Sequence, residues 1–206
     1  MESIARDNLV LDPFSLLIGV GVRFGRGNMF RPHVEIMAEA GGSVVVGDDN
    51  RFLSGCAIRA NAGRVMIGNS NWLGEGRLVI DADRADAAIV IGDEGRYRYG
   101  AVIRGKATLG SGSQVLGPVI VEDCSLWAGG SFLESDPDQR GGVLKGVGPA
   151  RGLTVPRGQV IASYGPFAQH AMQPQHFFHP NFIRRRNRAR KNPGVRVSNR
   201  LGAYNS

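Results

Sequence analysis

The chain has 206 residues, 42% hydrophobic but only 7% aromatic, enough for one substantial domain and scarcely for two. Thirty glycines, about twice the usual share, indicate many tight corners. No uncharged run approaches the ~20 apolar residues of a membrane span, and Cys56 and Cys124 are too few for a disulfide framework, so a soluble protein of the reducing cytoplasm is expected.

Residues 1–17 read as a lead-in. The opening "MESIARDNLVLDPFSLLIGV" carries acids early, sets Asp12 and Pro13 inside its apolar stretch and lacks a small-residue cleavage site, so no signal peptide is expected. From residue 18 to 167 the apolar positions recur every six residues. Short runs come first: Ile18, Phe24 and Phe30, then Val34, Ala40, Val46, Phe52 and Ile58. A long run follows through Ile67, Leu73, Val79, Ala85, Ile91, Tyr97, Ile103, Leu109, Val115, Val121, Trp127 and Leu133, and Val155, Ile161 and Phe167 close the pattern. A helix repeats at 3.6 residues and a strand at 2, so neither alone makes a six-residue signal. A short strand followed by a turn does, and small residues stand four after many anchors, as at Gly95, Ala101, Ala107, Ser113, Ser125 and Ser131. Three hexads make a triangular coil of about 18 residues, and such coils stack at roughly 4.8 Å. The expected fold is all-β: a parallel β-helix whose anchors fill the interior.

The rhythm stops at "GGSFLESDPDQRGG", residues 129–142, and a loop excursion is expected near 134–152. Residues 168–206 read as a C-terminal extension and a basic tail. Residues 1–138 hold 13 Lys and Arg against 18 Asp and Glu, a net of −5, whereas residues 139–206 hold 12 basic residues and no acid, a net of +12. The basicity peaks in "RRRNRARK", Arg184 to Lys191, where three roles compete: holding cofactor phosphates, recruiting an anionic partner, or packing on a neighbouring subunit. With no aromatic stacking motif, specific nucleic-acid binding is not expected.

The hexads "IGNSNWLGEGRLVI", "IGDEGRYRYGAVIRG" and "LGSGSQVLGPVIVED" resemble the left-handed β-helix hexapeptide-repeat acyltransferases over residues 18–167. The resemblance implies a homotrimer that moves an acetyl or other acyl group from coenzyme A to a hydroxyl or amine of a sugar or nucleotide-sugar acceptor. Within that superfamily "CSLWAGGSFLESDPDQR" is similar to the loop of polysaccharide O-acetyltransferases that ends in Ser-Asp-x-His. Ser135 and Asp136 match, but Asp138 stands in the histidine position. An aspartate on a surface is a poor base toward a hydroxyl. His170 or His176, in "YGPFAQHAMQPQHFFHP", could fold back on Asp136 or Asp138 and supply the missing imidazole, since this segment leaves the last coil near the loop's height. The candidate catalytic residues are therefore Asp136, Asp138, His170 and His176, with Ser135 and Trp127 toward the substrate. Acetyl-CoA contacts are assigned to Lys145, Arg157, Ser163, Arg184 and Arg185. No metal is expected: the fold also serves γ-type carbonic anhydrases, but no histidine lies between Val34 and Gln169. The alternative is a catalytically silent scaffold or partner-binding subunit that uses its basic tail.

Overall fold

Burial alternates along the short strands. In Ser43–Val46, Arg64–Ile67, Ala88–Ile91 and Lys106–Leu109 every second side chain is buried, the signature of a strand covered on one side. A computed structural model describes residues 7–39 and 41–179, and in it these strands stack as one wall of a three-sided, left-handed parallel β-helix. This third face runs Val22–Phe24, Ser43–Val46, Arg64–Ile67, Ala88–Ile91, Lys106–Leu109, Ser125–Leu126 and Thr154–Val155, all parallel. The first face stacks Leu9–Val10, Met29–Phe30, Arg51–Phe52, Trp72–Leu73, Arg96–Arg98 and Gln114–Leu116. The second stacks Leu17–Ile18, Glu35–Ala38, Cys56–Ala60, Leu78–Asp81, Ala101–Arg104 and Val119–Glu122. A long strand, Val143–Arg151, joins the two walls: its start pairs with Gln114–Leu116 and its end with Val119–Glu122. Gln159–Tyr164 adds the last parallel strand, and Met172–Pro174 returns antiparallel along it.

The interior is a continuous apolar column. Phe30, Phe52, Leu73, Tyr97, Val115, Leu144 and Ile161, consecutive on the first face, are fully buried, each contributing about 1.5–3 kcal/mol of burial free energy. Phe30 and Phe52 stack with centroids 4.9 Å apart.

Six-residue spacing holds more narrowly than its sequence pattern. Leu9, Met29, Arg51, Trp72, Arg96, Gln114, Val143 and Val160 lie in register on the first face, so successive coils take 20, 22, 21, 24, 18, 29 and 17 residues. Only the coil from Arg96 to Gln114 has three hexads. The run from Ile91 to Val121 is buried at every sixth residue, but Val79 points outward between buried Leu78 and Ile80. Ala85 sits on an exposed turn, and Trp127 and Leu133 are 55% and 72% exposed. Extra turn residues shift the phase, and a shift of one residue turns a side chain from core to solvent. Ala40 lies outside the described residues.

A buried asparagine ladder runs along one corner. Asn50 Nδ2 donates to Asn28 Oδ1 at 3.1 Å, and Asn71 Nδ2 to Asn50 Oδ1 at 3.1 Å. Each Oδ1 also accepts the backbone N–H one coil up, as Asn28 does from Asn50 and Asn71 from Gly95. Asn28, Asn50 and Asn71 are all fully buried, and these bonds remove the penalty for burying amides. The ladder ends at Gly95, where a side chain would strike Tyr97, whose hydroxyl bonds Ser113 Oγ at 2.8 Å instead.

The broken rhythm at 129–142 is a loop whose neck lies flat on the coil beneath. Gly112 adopts φ +71°, and a Cβ there would collide with the Gly130 carbonyl. Gly130 bridges Arg140, and Phe132 tucks back toward Trp72, with ring centroids 5.3 Å apart.

Candidate functional site

Two elements build the site on the first face. One is the loop, in which Pro137–Gln139 forms a 3-10 turn capped by Asp136, whose Oδ1 accepts the Asp138 N–H at 3.0 Å. The other is the segment after the last coil, which returns along Gln159–Tyr164 and ends in a 3-10 turn, Gln175–Phe178. Gln175 is buried between them and donates to the Gly141 carbonyl at 2.7 Å and the Gln159 carbonyl at 3.3 Å. That amide pins the segment to the loop's base and sets the position of its neighbour, His176.

His176 and Asp138 meet. The His176 backbone N–H donates to Asp138 Oδ1 at 3.0 Å, and His176 Nδ1 lies 2.7 Å from Asp138 Oδ2. Both side chains are about a quarter exposed, His176 20% and Asp138 28%. An ionised carboxylate only accepts, so Nδ1 carries the proton and the lone pair of Nε2 remains for other chemistry.

Beside this pair lies a pocket of about 130 Å³ lined by Arg96, Gln114, Arg140, Lys145, Phe178 and His179, among others. Arg96 Nη2 donates to Gln114 Oε1 at 2.8 Å, and its guanidinium lies over the Phe132 ring at 5.1 Å. Arg140 donates through Nε and Nη2 to the Glu134 carbonyl at 2.8 and 2.5 Å. Lys145 Nζ lies 5.7 Å from the Phe178 ring centroid. Burial, then the charges of Arg140 and Lys145, hold the His179 imidazole below its usual range, against the opposing pull of Asp138.

The sequence candidates divide. Asp138 and His176 are brought together, while Asp136 spends its carboxylate on the turn. His170 is exposed on a separate turn, Gln169–Ala171, where Gln169 bonds the backbone of Thr154 on the third face. Ser135 donates its N–H and hydroxyl to Glu134, whose carboxyl is held below the usual range first by the Asp136 N–H and then by Ser135. Trp127 is largely exposed, with its N–H on the Val155 carbonyl. Lys145 lines the pocket. Arg157 donates to Oε1 of Gln139, the residue after Asp138, at 2.7 Å, and Ser163 bonds the carbonyls of Gly165 and Pro166. Arg184 and Arg185 lie outside the described residues. Arg96, Gln114, Arg140, Gln175 and His179 were not among the candidates; the first two come from coils below the loop, and only the register brings them to it.

Among the described residues no three His, Cys, Asp or Glu side chains gather to hold a metal ion, and no helix is long and apolar enough to cross a membrane. No protein-family model matches the chain, and no curated protein does.

Proposed function

We propose that this protein is an acyltransferase that moves an acetyl or other acyl group from coenzyme A to a hydroxyl or amine of a sugar or nucleotide-sugar acceptor. The observation that supports the reading is His176 held twice by Asp138, its imidazole Nδ1 on Oδ2 and its backbone N–H on Oδ1, next to a pocket lined by its neighbours Gln175 and His179. His176 Nε2 takes the acceptor proton as the acceptor oxygen or nitrogen attacks the thioester carbonyl. The tetrahedral intermediate collapses, the C–S bond breaks, and the imidazolium returns the proton to the leaving thiolate. Acylated acceptor and free coenzyme A result. Asp138 is a positioning residue that keeps the ring in the tautomer the base requires.

A homotrimer fits this reading, because a second copy would give the open site another wall. The second face offers a surface for it: half-buried Val79, Val102 and Ile120 run beside a ladder in which Glu122 pairs with Arg104 at 3.2 Å and Arg151 at 3.0 Å. A reducing cytoplasm fits two buried, unjoined cysteines.

The test is calorimetric titration of acetyl-CoA into the full-length protein, followed by acetyl transfer to a panel of free and nucleotide-linked sugars. His176→Gln lowers turnover by roughly 100-fold or more, and Asp138→Asn lowers kcat with KM unchanged. Equal rates in wild type and His176→Gln would end the proposal.

A further inference from the structure

The pocket beside His176 has a charge imbalance that proton transfer by the His176–Asp138 pair does not require. Three permanent cations, Arg96, Arg140 and Lys145, line it together with His179, and none of the lining residues is acidic. The nearby carboxylates are engaged elsewhere. Asp138 is held by His176. Glu134 accepts from the N–H groups of Ser135 and Asp136, and Glu75 pairs with Arg98. Arg96 Nε is buried without a hydrogen-bond partner. An arginine cannot shed its proton to relieve the strain, yet burial above all, and then the charges of Arg98 and Arg140, press on Arg96 in that direction. Glu134 and Asp136 act favourably on Arg140 and Glu75 on Arg96, but none of these carboxylates lines the pocket; gathering cations in a half-enclosed space costs free energy, and such arrangements mark places where a ligand completes the charge.

The donors determine which ligand. Guanidinium groups offer planar pairs of N–H donors matched to phosphoryl oxygens, and an ammonium group adds a point charge. Gln114 and Gln175 supply neutral polar groups, while Val143, Val160 and Phe178 make the remaining walls apolar. At about 130 Å³, well above the roughly 10–15 Å³ that holds one water on the same measure, the space has room for a tetrahedral oxyanion.

We propose that the pocket formed by Arg96, Arg140, Lys145 and His179 binds the phosphoryl group of a phosphate ester, holding that molecule beside His176. The assignment does not depend on acyl transfer. Two sources carry the same group, a coenzyme with a terminal phosphate and a phosphorylated acceptor, and the ligand arms of the test separate them.

The experiment uses the full chain and follows the histidine ring protons by NMR. Inorganic phosphate is the first probe, and sulfate, whose charge stays constant through the histidine range, serves for pH titration. Bound dianion stabilises protonated His179, so saturating sulfate moves its titration to higher pH, against the combined effect of burial, Arg96, Arg140 and Lys145, and with that of Asp138. Chloride at equal ionic strength produces no such shift. Lys145→Ala, at an exposed position, weakens phosphate binding by about tenfold or more. Arg96→Met, which keeps the packing over Phe132, does the same, whereas Lys106→Ala on the third face has no effect. If coenzyme A outbinds dephospho-coenzyme A, the coenzyme is the source; if glucose 1-phosphate outbinds glucose and the two coenzymes bind alike, the acceptor is. Phosphate binding without acyl transfer would leave this proposal standing and remove the other. Failure of phosphate, sulfate and both esters to shift His179, or equal binding by wild type, Lys145→Ala and Arg96→Met, overturns it.

Discussion

Replacing Asn50 with Ala tests whether the corner ladder is a main source of cohesion between coils. Its Nδ2 donates to Asn28 Oδ1 at 3.1 Å and to the Gly68 carbonyl at 2.9 Å, while its Oδ1 accepts the Asn71 N–H at 3.0 Å and Asn71 Nδ2 at 3.1 Å. All four bonds disappear together, and the buried Asn71 N–H loses its acceptor. At about 1 kcal/mol per bond, with a larger share for the stranded N–H, the loss comes to roughly 3–5 kcal/mol. For a chain of this size each kcal/mol moves the melting temperature by about 2–4 °C, so Asn50→Ala melts roughly 6–20 °C below wild type. The assay is thermal unfolding by far-UV circular dichroism, with Ser43→Ala, an exposed strand position, as a control that stays within about 0.5 kcal/mol. A fall of less than about 3 °C would show that the ladder only fills space, and the reasoning from buried amide pairing would be wrong.

Two further outcomes follow from the same physical arguments. Gly112→Ala forces a side chain into φ +71° and against the Gly130 carbonyl, which costs about 2–4 kcal/mol; limited proteolysis then cuts at 129–142 faster than in wild type, and unchanged melting and cleavage would refute the flat-neck account. Burial pushes the Cys56 thiol up to about 12 and raises Cys124 as well, so a thiol reagent labels neither until the chain unfolds; prompt labelling of Cys56 in the native protein would contradict its place in the core.

Some of the site was visible in the residue order. Asp138 in the histidine position of a Ser-Asp-x-Asp loop raised the need for an imidazole from elsewhere, and the segment after the last coil leaves it near that height with two histidines that could fold back. His176 rather than His170 meets Asp138 because Gln175 is held by the Gly141 and Gln159 carbonyls, while Gln169 is held by Thr154. Neither glutamine looks different from the other in the sequence. Arg96, Gln114 and Lys145 are separated by 18 and 31 residues along the chain, and nothing local marks them as neighbours. The asparagine ladder was legible in principle, since Asn28, Asn50 and Asn71 each stand immediately before a first-face strand, but unequal coil lengths hide the period.

The architecture follows from sequence because it rests on local physics. Short apolar alternations, small residues and turn-forming residues at near-regular intervals leave a stacked coil as the arrangement that buries one face of every strand. What tertiary structure alone decided is the phase and the meeting of distant groups. Each extra turn residue changes which side chains face inward, so Val79 and Trp127 left the core that their spacing assigned them to. Parallel stacking then set Arg96 beneath Gln114 and Val143, with Lys145 two residues further along the upper strand, and the returning segment completes the pocket they line. A solenoid makes neighbours of residues one coil apart, and coil length, the sum of many small turn conformations, is settled only when the whole chain is wound.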